Sequence, residues 1–177
     1  MHKVMAAIGS LIFFIVAPGF VAGVVPWWLT RWRLTEPFAP WLPFRAFGVL
    51  LIACGTAVLL HSFARFVTEG IGTPAPVAPP RQLVVGGLYK YVRNPMYLAV
   101  LGIIVGQSFA LGQLRLLFYA SAVLALVAAF VHGYEEPTLR RRFGPEYELY
   151  CRDVPAWWPR LRPRPPPTPE ARRPHTP

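Results

Sequence analysis

The sequence predicts an all-α integral membrane protein with about four transmembrane helices. Hydrophobic residues make up 54% of the chain and charged residues only 15%, which points to lipid rather than water as the solvent. Lys and Arg outnumber Asp and Glu by 18 to 8, a net charge of +10, yet the basic residues flank long uncharged runs instead of forming one stripe. A nucleic-acid interface gathers such charge on one face, whereas a membrane protein places it at the ends of its spans. No nucleic acid is therefore expected as a partner. Four apolar runs each approach or exceed the ~20 residues needed to cross about 30 Å of hydrocarbon. Backbone groups in lipid must be satisfied within the segment, so these runs are helices.

The first span covers approximately residues 4–29 and is uncharged from Val4 to Leu29. It is too long for a signal-peptide core, and no clear cleavage region follows it. Pro18-Gly19 is expected to kink it, and Trp27, Trp28 and Trp32 resemble an interfacial aromatic belt. The second span, approximately 45–65, holds only Cys54 and His61 as ionisable groups between Ala46 and Ala64. The third and fourth, approximately 95–112 and 114–134, are joined by Gly112 and Gln113, a connection short enough for a tight antiparallel hairpin. Together these form a membrane-embedded domain over residues 1–158. The Pro- and Arg-rich segment 159–177 lacks apolar surface to bury and is expected to be disordered. The basic residues favour a topology with the loop before span three, and both termini, in the cytoplasm. That placement suits a bacterial inner membrane protein. Cys54 and Cys151 form no metal or redox motif, so neither a metal nor a disulfide is expected.

Two polar segments adjoin the same ends of the helical hairpin. One is "TPAPVAPPRQLVVGGLYKYVRNPMY", Thr73 to Tyr97; the other is "HGYEEPTLRRRFGPEYELYCRDVPAWWPRL", His132 to Leu161. Prolines extend the path of the first, and Gly86-Gly87 permits a tight turn or a close approach of backbone to a ligand. Tyr89 and Tyr97 bracket Arg93 and Asn94. Pro95 is placed to start span three as a first-turn residue, leaving free N–H groups and the positive end of the helix dipole facing the cytoplasm, where an anion binds well. Glu135 and Glu136 are expected at the end of span four, where acids oppose the dipole. Pro137 then restarts a short helix, Gly144-Pro145 breaks it, and Glu146 to Arg152 makes another turn with Tyr147 and Tyr150 on one face. Each of these residues also has a plainer reading. Arg93 alone serves as a positive-inside anchor, single tyrosines as interfacial anchors, and the Glu pair as a solvated helix end neutralised by Arg140 or Arg141.

Taken together in this order, "LVVGGLYKYVRNPMY", a helical hairpin and "EEPTLRRRFGPEYELY" resemble the isoprenylcysteine carboxyl methyltransferase family, itself related to the phospholipid N-methyltransferases. The likeness covers about residues 73–160 and suggests a prokaryotic member. It implies a membrane enzyme that uses S-adenosylmethionine without a soluble methyltransferase domain. By the same resemblance Arg81, Gln82, Leu83, Val84 and Tyr89 line the cofactor, Asn94, Pro95, Met96 and Tyr97 close around it, and Glu135 binds it from the other side. Arg93 and Glu136 are the expected catalytic pair. The implied partner is a lipid or lipidated small molecule dissolved in the bilayer, methylated at an oxygen, nitrogen or sulfur. Two positions depart from the pattern. The family's His before the proline is Asn94, and an arginine that eukaryotic members use for substrate is Val131. A non-enzymatic membrane protein that keeps this fold is the competing reading.

Overall fold

The structure, a computed structural model, describes residues 16–70 and 83–162. Residues 4–15 of the first predicted span, Arg81 and Gln82, and the tail from 163 onward lie outside the described residues. The described residues are helical with no strand. They form α1 (Val16–Thr30), α2 (Leu42–Gly70), α3 (Pro95–Leu111), α4 (Arg115–Phe143) and α5 (Pro145–Asp153), with a short 3-10 turn at Gly87–Lys90. Two of them, α2 over Leu42–Arg65 and α4, are long and apolar enough to cross a membrane, and only 22% of each apolar window is buried within the protein. Apolar surface left so bare needs a non-aqueous surrounding rather than a hidden core. The other two apolar helices, α1 and α3, are shorter.

The structure corrects two expectations about helix continuity, and one cause explains both. The sequence places the irregularity of span one at Pro18-Gly19, but the π turn falls at Phe20–Val24, two residues before Pro26. Span four is expected to end near Tyr134 and restart at Pro137. Instead α4 runs unbroken to Phe143 through a π turn at Val131–Glu135, again two residues before a proline. Proline lacks an N–H and its ring collides with the carbonyl four residues back. A π turn widens the helix there and carries that carbonyl aside, so the helix bulges instead of breaking. Glu135 and Glu136 therefore lie inside a continuous helix, and the opposing-dipole argument for them does not apply.

Carbonyls released in α1 are claimed by its neighbours. Ala22, whose carbonyl would have met the missing N–H of Pro26, accepts from Gln107 Nε2 at 2.6 Å, and the Val21 carbonyl accepts from the Tyr119 hydroxyl at 2.8 Å. These bonds hold α1 against α3 and α4. A core of Leu59, Val100, Ile104, Leu116 and Val123 fills the space between α2, α3 and α4.

The α2–α3 crossing is close because glycines permit it. A Cβ added to Gly48 would press on the backbone of Gly106 and Ala110, and one added to Gly106 would meet the Gly48 carbonyl at 2.8 Å. Gly55, two turns along α2, meets Ile103 and the Ala99 carbonyl in the same way. Small residues at such crossings let helix backbones touch, the usual source of affinity where the hydrophobic effect is absent. Gly112 ends α3 with φ 69°, a left-handed conformation natural to glycine.

Replacing Gly48 by Val should therefore destabilise the protein by roughly 1–3 kcal/mol through overpacking against backbone that cannot yield. Gly19→Ala, where an added Cβ meets nothing within 4 Å, should leave stability nearly unchanged. Thermal unfolding of the two variants in detergent checks both expectations.

Candidate functional site

The polar segments predicted to meet at the ends of the hairpin do meet. Gly86 is extended and Gly87 has φ 56°, which turns the chain into the 3-10 turn that buries Tyr89. The chain then reaches Asn94 in the N-cap position, with Pro95 as the first residue of α3. Proline suits that place because its missing N–H has no partner to lose. By helix geometry the N–H groups of Met96 and Tyr97 have no acceptor within α3, and Asn94 makes no capping bond to them. The Asn94 amide instead donates to the Ala156 carbonyl at 3.2 Å.

Chain beyond α5 lies across this entrance as a strap. The Arg93 N–H donates to the Pro155 carbonyl at 2.9 Å, and the Arg160 N–H donates to the Tyr91 carbonyl at 3.0 Å. Beneath it Tyr147, Tyr150 and Val154 pack with Leu83, Val85, Leu139 and Phe143. The Tyr150 hydroxyl donates to the Tyr89 carbonyl at 2.8 Å, tying α5 to the loop before α3. Burial, and secondarily the neighbouring Cys151, lift the Tyr147 phenol above its usual range. It stays a neutral hydroxyl at physiological pH.

A cavity of about 380 Å³ opens between these elements, within the size range of small-molecule sites, roughly 300–1,000 Å³. Its polar end holds Asn94, Arg93, Tyr97, Glu135 and Glu136. The Tyr97 hydroxyl donates to Glu135 Oε2 at 2.9 Å. Arg93 Nη1 lies 3.0 Å from Glu136 Oε1 and 2.6 Å from Cys151 Sγ, and both ion-pair side chains are only 14% exposed. The Arg93 Nε is buried without a hydrogen-bond partner. The other end of the cavity is apolar, walled by Val21 of α1, Leu59 of α2, Val100 of α3 and Val123, Val127 and Phe130 of α4. No group of three or more potential metal ligands occurs among the described residues.

Every described residue of the sequence-predicted site lines this one cavity: Leu83, Val84, Tyr89, Arg93, Asn94, Pro95, Met96, Tyr97, Glu135 and Glu136. Arg81 and Gln82 fall outside the described residues. The two residues expected to be catalytic, Arg93 and Glu136, are ion-paired to each other. A ligand carboxylate at Arg93 has to share the guanidinium with Glu136 rather than meet a free cation. Val131, the position that departs from the family arginine, is 3% exposed on the cavity wall within the π turn. Sequence reasoning missed Thr138 and Leu139 as lining, and the whole apolar wall including Ala17 and Pro18. Tyr147 and Tyr150 were placed on one helix face but not assigned to the site; their spacing was the available signal.

Breaking the Arg93–Glu136 pair leaves a charge poorly hydrated. Arg93→Leu and Glu136→Leu should each destabilise the protein by about 2–4 kcal/mol, and the double variant should lose distinctly less than the sum. Denaturant unfolding of the three variants gives the coupling directly.

No curated protein matches the sequence. The family model described as phospholipid methyltransferase matches residues 44–146, a stretch that runs from α2 through α3, the hairpin and the Glu pair to the start of α5. It covers more than half of the 177 residues, and the chain belongs to the phospholipid methyltransferase family.

Proposed function

We propose that the protein is an S-adenosylmethionine-dependent methyltransferase acting on a lipid-like acceptor dissolved in the membrane. Membership of the family implies methyl transfer at a membrane. The observation that carries the finer reading is the two-ended cavity, with donors and carboxylates at one end and an apolar arm at the other. A cytoplasmic cofactor and a bilayer-borne acceptor have to meet at such a junction.

The residues present fit the cofactor's chemistry. The unpartnered Arg93 Nε and the first-turn N–H groups of α3 suit its carboxylate. Glu135, oriented by the Tyr97 hydroxyl, suits its ammonium or ribose hydroxyls. The ring faces of Tyr89 and Tyr97 tolerate a cation. Leu83, Val84, Asn94, Pro95 and Met96 supply the remaining wall, and the family resemblance adds Arg81 and Gln82 to the proposed set. When bound, S-adenosylmethionine supplies a methyl group already activated by its sulfonium. The protein's own work is then positioning and exclusion of water.

The apolar arm receives the acceptor's chain and sets its reactive atom in line with the methyl group. Oxygen, nitrogen and sulfur acceptors all fit this scheme. A carboxylate acceptor needs no base, whereas an amine has to arrive neutral; the Glu136 carboxylate can then hold its proton, or Tyr97 can take it while passing its own hydroxyl proton to Glu135. With Val131 at the wall, a fixed arginine for an acidic prenylcysteine is not supplied from that position. In this reading α1 and α3 also span the membrane, giving four spans. The site and both termini face the cytoplasm of a bacterial inner membrane.

Purified protein in detergent should bind S-adenosylmethionine with micromolar affinity by calorimetry. Glu135→Ala and Tyr97→Phe should each weaken binding about tenfold, near 1.4 kcal/mol. Absence of binding by the wild-type chain across several lipid additions would refute the enzyme reading and leave a non-enzymatic membrane protein of the same fold.

A further inference from the structure

The strap that crosses the site entrance carries features the site does not use. Trp158 is 80% exposed and Leu161 is 99% exposed, the two barest large apolar side chains in this part of the molecule. Basic residues surround them. Arg162 is exposed beside Leu161, Arg152 is 77% exposed, and Lys90 is exposed next to Tyr91, whose carbonyl accepts from Arg160. The acids nearby are Asp153, 3.7 Å from Arg152, and Glu146 and Glu148 on α5.

Trp157, next to Trp158, turns the other way. Its ring lies 6.5 Å from that of Tyr97, which holds Glu135. Val154 at the start of the strap is fully buried. The strap is thus anchored at its base and bare at its outer edge. Its backbone is bonded to Tyr91, Arg93 and Asn94, immediately before α3 begins.

The start of an apolar helix marks the level of the headgroup layer. Exposed tryptophan and leucine flanked by arginine and lysine match that layer in both polarity and charge. Trp prefers the interface, and basic side chains are drawn to anionic lipid. In the four-span arrangement proposed above the bilayer surface lies at this height, which favours lipid over a protein partner.

We propose that segment 154–162 is an interfacial strap that seats Trp158 and Leu161 in an anionic headgroup layer and, through its bonds to Tyr91, Arg93 and Asn94, orders the mouth of the site. Anionic lipid is then a regulator of the cofactor end of the cavity proposed above. Seating restrains the strap at its free edge. That restraint passes to the Arg93 and Arg160 amides and to Trp157 against Tyr97. On a neutral surface the strap opens more often, and the entrance loosens with it.

The full chain reconstituted in nanodiscs tests this, with phosphatidylcholine alone compared with phosphatidylcholine containing one-third phosphatidylglycerol. Brominated acyl chains should quench the part of the tryptophan fluorescence that Trp158→Phe removes, and more strongly in the anionic discs. Amide exchange at Arg93 and Arg160 should slow about fivefold in the anionic discs, as expected for a local opening made rarer. The slowing should vanish in Trp158→Ala/Leu161→Ala and in Lys90→Glu/Arg162→Glu, whose side chains are exposed and outside the cavity. No quenching attributable to Trp158, or equal exchange in the two lipids, overturns the proposal. Neither readout involves the cofactor, so a failure to bind S-adenosylmethionine leaves this test intact and falls on the enzymatic reading alone.

Discussion

Backbone carbonyls and N–H groups shielded from water need partners, and the two ends of α3 meet that need in different ways. At the C-terminal end the carbonyls are covered from outside the helix. Trp41 Nε1 donates to Phe109, Arg45 Nε to Ala110, the Thr35 N–H to Leu111 and the Thr35 hydroxyl to Gly112. Gln113 N–H covers Ser108, and the Gln113 amide reaches back to the Arg33 carbonyl. The segment between α1 and α2 thus acts as a cap for this end of the hairpin. The opposite end has no such cover. Asn94 turns its amide to the strap, and Met96 and Tyr97, whose N–H groups have no acceptor within the helix, line the cavity. One helix is sealed at one end and left open at the other.

Around that open end, each side chain of the candidate site is placed by an element with its own reason to be rigid. The glycine crossing sets α3 against α2, and the core beneath sets α4 against α3. The 29 residues of α4 are roughly 43 Å long, more than the hydrocarbon layer requires. In the proposed arrangement its last turns project past the membrane surface and carry the Glu pair beyond the apolar arm. The cavity is polar beside the last turns of α4 and apolar beside its earlier ones.

Much of this was legible in the sequence. Apolar runs between charges marked α2, α3 and the hairpin because the membrane enforces length and polarity together. Pro95 and Gly112 marked the ends of α3 by their fixed backbone preferences. The described residues that line the candidate cavity were legible because they cluster in two short segments that the hairpin must bring together. The continuity of α4 was not. Pro137 reads as a break by its local chemistry, and only the π turn, a backbone adjustment without a side-chain signature, lets the helix pass through. The partnership of Arg93 with Glu136 was hidden for a similar reason. Spacing places both at the site, but which charge faces which depends on the angular offset of α4. The apolar wall was hidden as well, since a residue facing lipid and one facing a cavity look alike in composition.

The π turn at Val131–Glu135 also gives α4 a phase. One extra residue is accommodated there, so the lipid-facing stripe below and the cavity-facing stripe above are out of register with each other. Removing a single residue from the regular stretch Arg115–Phe130, where no wide turn can absorb the change, would leave the helix almost as long, as apolar and as well anchored as before. It would nonetheless swing Glu135 and Glu136 about 100° around the axis, off the cavity. Length variation is usually harmless in surface loops. In this helix it acts on chemistry, because the acids are set by rotation more than by height.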